Sequence, residues 1–180
     1  MATVNLLPNA DVTNSPAWTL STGSDIWALL DDDVTGTPSG EAKQITGTAA
    51  GKVCTLAFTD FDETGVTIDS VQPVIICNNN GRGQSYEIKI QIMDDTGSTY
   101  YTEGTGTVSA SIGWLTKTLT ARTTSDGSSA WTTHDLDYMR MRYTLQAHSG
   151  GTSRIGYAFL IVTYTEAVAA DNAIFFGTNF

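Results

Sequence analysis

Two segments of the chain carry the plainest alternation of apolar and polar positions. From Tyr86 to Met93, Tyr86, Ile88, Ile90 and Ile92 alternate with Glu87, Lys89 and Gln91. A period of two turns one face toward a core and the other toward water, so this segment predicts a strand. Asp94-Asp95-Thr96-Gly97 follows as a tight turn. Ser98 to Ser109 continues as a Thr- and Tyr-rich strand interrupted by glycines, which completes a hairpin. In the second segment Met139, Met141, Tyr143 and Leu145 point one way, and Arg140, Arg142 and Thr144 the other. A turn-like stretch, His148 to Ser153, returns the chain through Arg154 to Tyr164. Within that return, Tyr157 to Val162 is continuously apolar and predicts a strand covered on both faces, either central in a sandwich or covered by another chain.

Shorter strand candidates precede these at Trp18 to Leu20, Ile26 to Leu30, Gln44 to Thr48, Val53 to Thr59 and Thr67 to Cys77. Pro73 cannot donate to a ladder, so the last should be an edge strand or contain a bulge. Trp114 to Ala121 adds one more before the Ser- and Gly-rich turn Thr123 to Ser129. About eight to ten short strands separated by turn signals predict an all-β fold, an antiparallel two-sheet sandwich of jelly-roll type. Residues 1–166 make up that domain, and residues 167–180 form an extended tail. Chain ends without a partner are usually polar, yet this one places Ile174, Phe175, Phe176 and Phe180 in its final stretch. The tail either folds back on its own sheet or packs on a neighbouring subunit.

Composition agrees with the pattern. Charged residues are only 16% of the chain, and Thr, Ser, Gly and Asn dominate the polar remainder, so long helices are not expected. Nine basic residues face nineteen acidic ones, a formal net charge of −10. Nucleic-acid binding needs basic side chains to neutralise phosphates, and an anionic bilayer would repel this chain, so neither partner is expected. The opening Met1-Ala2-Thr3-Val4-Asn5 has no basic region or long apolar run, which points to synthesis in a cytoplasm.

Candidate chemistry is sparse. Cys54 and Cys77 lie in strand-like runs without metal-ligand spacing and read as buried free thiols, with a disulfide between neighbouring strands as the alternative. His134 sits beside Asp135 and Asp137, and His148 in a turn; neither has a second histidine at ligand spacing, and no nucleophile or cofactor motif is present. No catalytic residue, cofactor or metal is therefore assigned. Glu87 is the one glutamate inside a clear strand, without a second at i+2 or i+4, so the paired carboxylates of a glycosidase are not marked. Asp31-Asp32-Asp33, Asp60-Phe61-Asp62-Glu63 and Asp94-Asp95 read as solvated turns, with a structural calcium as the alternative. Trp18, Trp27, Trp114 and Trp131 read as sandwich core, with a sugar-stacking platform as the alternative.

The succession of the Tyr86–Gly97 strand and turn, Trp114 to Thr120, Trp131 to Leu136, the arginine-bearing strand Met139 to Leu145 and the closing Arg154 to Tyr164 resembles jelly-roll modules in virion proteins of tailed bacteriophages. The opening Asn5 to Asp11, followed by Trp18, is similar to the first strand of those modules and of carbohydrate-binding modules. The resemblance implies a non-enzymatic capsid cement or decoration protein on the virion exterior. It would be a homotrimer seated on the major capsid protein, with the sheet edges and Ile174, Phe175, Phe176 and Phe180 as its subunit contacts. The alternative is a tail-fibre, tail-tip or carbohydrate-binding module that recognises glycans, and more remotely a jelly-roll glycosidase.

Overall fold

The computed structural model describes residues 1–31, 43–79, 85–97, 104–108 and 113–167, with residues 104–108 described through their backbone alone. In chain order the elements begin with β1 (Ala2–Leu6), β2 (Pro8–Asn14), β3 (Thr19–Leu20), α1 (Trp27–Leu30), β4 (Ile45–Gly47), β5 (Val53–Phe58) and β6 (Val66–Asn79). They continue with β7 (Tyr86–Met93), β8 (Gly104–Val108), β9 (Leu115–Thr118), α2 (Thr133–Asp137), β10 (Arg140–His148) and β11 (Ser153–Glu166). All pairings are antiparallel and sort into two sheets. The first runs β3-β4-β11-β6-β9, with β1 also on β11; the second runs β2-β5-β10-β7-β8. The two pack face to face as a jelly-roll sandwich, the class that the alternation predicts.

Alternation places the core. Ile88, Ile90, Ile92, Met141, Tyr143 and Leu145 from one sheet meet Ile75, Cys77, Ile155, Ala158, Leu160 and Val162 from the other, all buried. The apolar run of β11 is central in its sheet, between β6 and the pair β4 and β1. Tyr157 and Phe159, on its other side, are buried as well.

Pro73 lies in β6, next to the sheet edge, and the bulge of β6 falls elsewhere, where its register with β11 shifts between Thr163 and Tyr164. A strand residue aims its N and its carbonyl at the same neighbour, and the Pro73 carbonyl accepts from Leu119 N at 3.0 Å. The absent donor therefore faces the end of β9, not the β11 ladder. Gln72 supplies the missing bond, its Nε2 donating to the Leu119 carbonyl at 2.9 Å. The proline is tolerated because a neighbouring side chain takes over its ladder position.

One expectation needs correction. Ile26 to Leu30 forms helix α1, not a strand. Five apolar residues set no period by themselves, and here the carboxylate of Asp11 decides: its two oxygens accept from Ile26 N and Trp27 N, each at 2.8 Å. Those amides would otherwise be orphaned at the helix start. Ile26 and Leu30 are fully buried, so the helix closes the sandwich edge, touching both β2 and β11. Helix α2 also went unpredicted, although Thr132 and Asp135 form a reciprocal capping box. The expected strand Ser98 to Ser109 is present over Gly104–Val108, and the rest of it lies outside the described residues. The tail residues Ile174, Phe175, Phe176 and Phe180 lie outside the described residues, as do Asp32 and Asp33.

Two expected outcomes follow from this packing. A Cβ at Gly47 would sit 2.8 Å from Leu145 Cδ2 and 3.1 Å from Trp18 Cζ3. Gly47→Ala should therefore lose about 1–3 kcal/mol of stability by overpacking, read from denaturant midpoints. Asp11→Ala should lose about 1–2 kcal/mol and speed amide exchange at Ile26 and Trp27; unchanged exchange there would show that α1 does not depend on this carboxylate.

Candidate functional site

Nearly every aspartate with a conspicuous position is occupied locally. Asp11 holds the start of α1. Asp135 closes the capping box, accepting from Thr132 N at 2.9 Å. Asp137 accepts from Phe61 N at 3.0 Å, fixing the loop below the core where Phe61 meets Tyr164 edge to face at 5.6 Å. Asp94 accepts from Thr96 Oγ1 at 2.7 Å within its turn. Asp126 is held well below the usual carboxylate range by the backbone and hydroxyl groups of Ser129 and Ser128. These carboxylates serve turns and caps. Among the described residues no three His, Cys, Asp or Glu side chains converge as a metal site.

The tryptophans divide similarly. Trp18 and Trp131 are buried, the latter donating Nε1 to the Arg122 carbonyl at 2.9 Å; Trp27 and Trp114 are half-buried. The large apolar side chains exposed among the described residues are Met1 and Tyr138, the latter 51% exposed and leaning on His134 at 4.5 Å. His134 is exposed on α2, whereas His148 ends β10 with its Nε2 buried.

Cys54 and Cys77 are free and buried, one in each sheet. Burial pushes the Cys77 thiol up to about 11, against smaller opposing effects of Tyr86 and Lys117. Burial raises Cys54 further, with Asp11 adding to the effect. Neither is a poised nucleophile.

One surface gathers functional groups that serve no turn or cap: the outer face of the five-stranded sheet. The register β2-β5-β10-β7 aligns Thr13, Thr55, Arg142 and Gln91 in a single row, about 14 Å long at ordinary strand spacing. Thr55 Oγ1 accepts from Thr13 Oγ1 at 3.0 Å and from Arg142 Nε at 3.4 Å. Rows on either side hold Ala57 with Arg140, and Val53 with Thr144 and Lys89, while Glu87 lies opposite Ala147. Arg140, Arg142, Thr144, Lys89 and Gln91 are all half-buried. Thr55 is 2% exposed, so the row is a packed layer with its long side chains lying along the sheet.

The face thus carries hydroxyls, an amide and three cations, without an aromatic ring among its described residues. These hydroxyl, amide and cationic groups can hold the polar groups of a ligand. The alternation of Met139 to Leu145 shows the two arginines on the polar side. Their partners Thr13 and Thr55 were not legible, because register cannot be read from one strand.

No family model matches the chain, and no curated protein matches it. Among solved structures it is similar to truncated AlyQ with its CBM32 and alginate lyase domains, at TM-score 0.50 and 16% identity, covering 92% of this chain and 35% of that one. The chain therefore spans about a third of that protein's length. It is also similar to the CBM32 of AlyQ in complex with 4,5-unsaturated mannuronic acid (TM-score 0.44, 16% identity, 84% of this chain and 98% of that one). A third likeness is to the enzymatically active domain of tailspike protein 4 of bacteriophage CBA120 (TM-score 0.46, 10% identity, 90% of this chain and 19% of that one). The first likeness agrees with the sandwich class; at TM-scores below 0.5 the other two add nothing to it.

Burial and raised pKa values together give an expected outcome for the thiols. Folded protein at pH 8 should not react with a thiol-specific disulfide reagent, and denatured protein should release two equivalents, one for each cysteine in the chain.

Proposed function

We propose that this chain is a non-catalytic carbohydrate-binding module that lays a glycan across the outer face of the five-stranded sheet. The observation that carries the reading is the ordered row Thr13–Thr55–Arg142–Gln91, flanked by Arg140, Thr144 and Lys89. A flat, rigid surface of hydroxyl, amide and guanidinium groups matches the alternating donors and acceptors of sugar hydroxyls. It also holds them at fixed strand spacings, which limits the entropy lost on binding. The shared fold with a structure that contains a CBM32 domain is compatible with this reading but does not by itself assign it, since one sandwich hosts many functions.

The capsid-cement reading rests on motif resemblance and on a tail outside the described residues. The polar sheet face favours the glycan-binding alternative. The aromatic contribution moves accordingly: Trp18 and Trp131 serve the core, and among the described residues Tyr138 is an exposed ring near the start of β10.

A glycan array probed with the full chain should show binding that falls at least tenfold in Arg142→Ala, with the circular dichroism spectrum intact. Binding that survives both Arg142→Ala and Thr144→Ala would place the site elsewhere. Failure to bind any glycan would sink the proposal.

A further inference from the structure

The outer face of the five-stranded sheet has a charge pattern unlike the rest of the chain. Acidic residues outnumber basic ones nineteen to nine overall. On this face the described charged residues are Lys89, Arg140 and Arg142 against Glu87 alone. Arg140 and Arg142 are two positions apart on β10 and share its outer side, so their Cα atoms are about 7 Å apart. Among the described residues no carboxylate pairs with either of them. Both residues are half-buried, and the described residues around them supply no counter-charge. With carboxylates so abundant elsewhere, an acid could easily have been placed between them.

We infer that the ligand of this face is an acidic glycan, one whose sugar rings carry carboxylates, with Arg140 and Arg142 as the residues that read the charge. This rests on the carbohydrate-binding reading above and narrows it to a substrate class. A guanidinium accepts a carboxylate through two parallel N–H···O bonds, stronger and more directional than any bond to a neutral hydroxyl. The Nε bond of Arg142 to Thr55 uses one of five donors and fixes the plane of the fork before a ligand arrives. Gln91 and Thr144, beside it on the same face, are suited to the neighbouring hydroxyls.

The net charge of −10 does not oppose this. At about 0.15 M salt the Debye length is about 8 Å, so a bound carboxylate senses the two guanidiniums and little of the distant acids. At low salt the acids act over longer distances and repel the polymer. Affinity should therefore rise and then fall as salt increases, unlike that of a uniformly basic binder.

The test is titration calorimetry of the full chain against polygalacturonate, polymannuronate and hyaluronate, each beside the same polymer with its carboxyl groups reduced to alcohols. The expected result is binding to at least one acidic polymer, at least tenfold tighter than to its reduced form. Arg142→Gln and Arg140→Gln should each weaken that binding about tenfold, and Arg142→Lys should restore only part of it. Equal affinity for the reduced polymer, or binding only to neutral glycans, would overturn the acidic class while leaving a carbohydrate-binding module. Equal binding of dextran sulfate would reduce the face to general attraction for polyanions and would also overturn it. Absence of binding to any glycan would remove both this inference and the function on which it rests.

Discussion

Strand β11 presents fourteen residues of backbone donors and acceptors to two flanks, in the part of the molecule most completely shielded from water. Buried backbone groups must be paired, and that demand places the six-stranded sheet. One flank is taken by β6 along nearly its whole length. The other is shared: β4 pairs with Ser153 to Ile155, and β1 with Leu160 to Tyr164. Helix α1 packs against β11 as well, and Asp11 of the opposite sheet fixes its start. The second sheet then has a defined surface on which to pack, and its outer face is defined as a result.

That outer face is where the polar half of the alternation goes. In β7 and β10 every second residue is committed to the core, which leaves Lys89, Gln91, Arg140, Arg142 and Thr144 side by side outside. Because Trp18 and Trp131 are drawn inward, this face offers hydrogen-bonding groups and charge, without an aromatic ring among its described residues. In the proposed glycan complex such contacts would discriminate by the arrangement of hydroxyls and carboxylates, since an unmatched buried polar group is costly.

Much of this was legible in the chain itself, and the reasons for the rest are physical. Strands β7, β10 and β11 announce themselves by period and apolar content, and turns by Gly97 and the glycines at 150 and 151. Two kinds of information were missing. Short apolar runs such as Ile26 to Leu30 carry no period, and the group that makes this one helical lies fifteen residues away in sequence. Register across strands depends on bulges, such as those that shift β2 against β5, and no single strand reveals them. Thr13 and Thr55 therefore joined Arg142 only in three dimensions. Helix α2 was the avoidable omission, because Thr132 and Asp135 spell a capping box three residues apart.

Strands β3 and β9, at the ends of the six-stranded sheet's main path, are two and four residues long, while β1 forms a further border of five residues on β11. Beyond β9 the neighbouring strand shows Pro73, whose vacant donor position is already compensated by the Gln72 side chain. A visiting strand from any other chain would find few consecutive amides to join on that side. Growth of this sheet by edge-to-edge addition is thereby discouraged at β3 and at β9. Copies meeting at β3 or β9 could therefore lie side by side without fusing their sheets, with contact there coming through side chains rather than through a continued ladder.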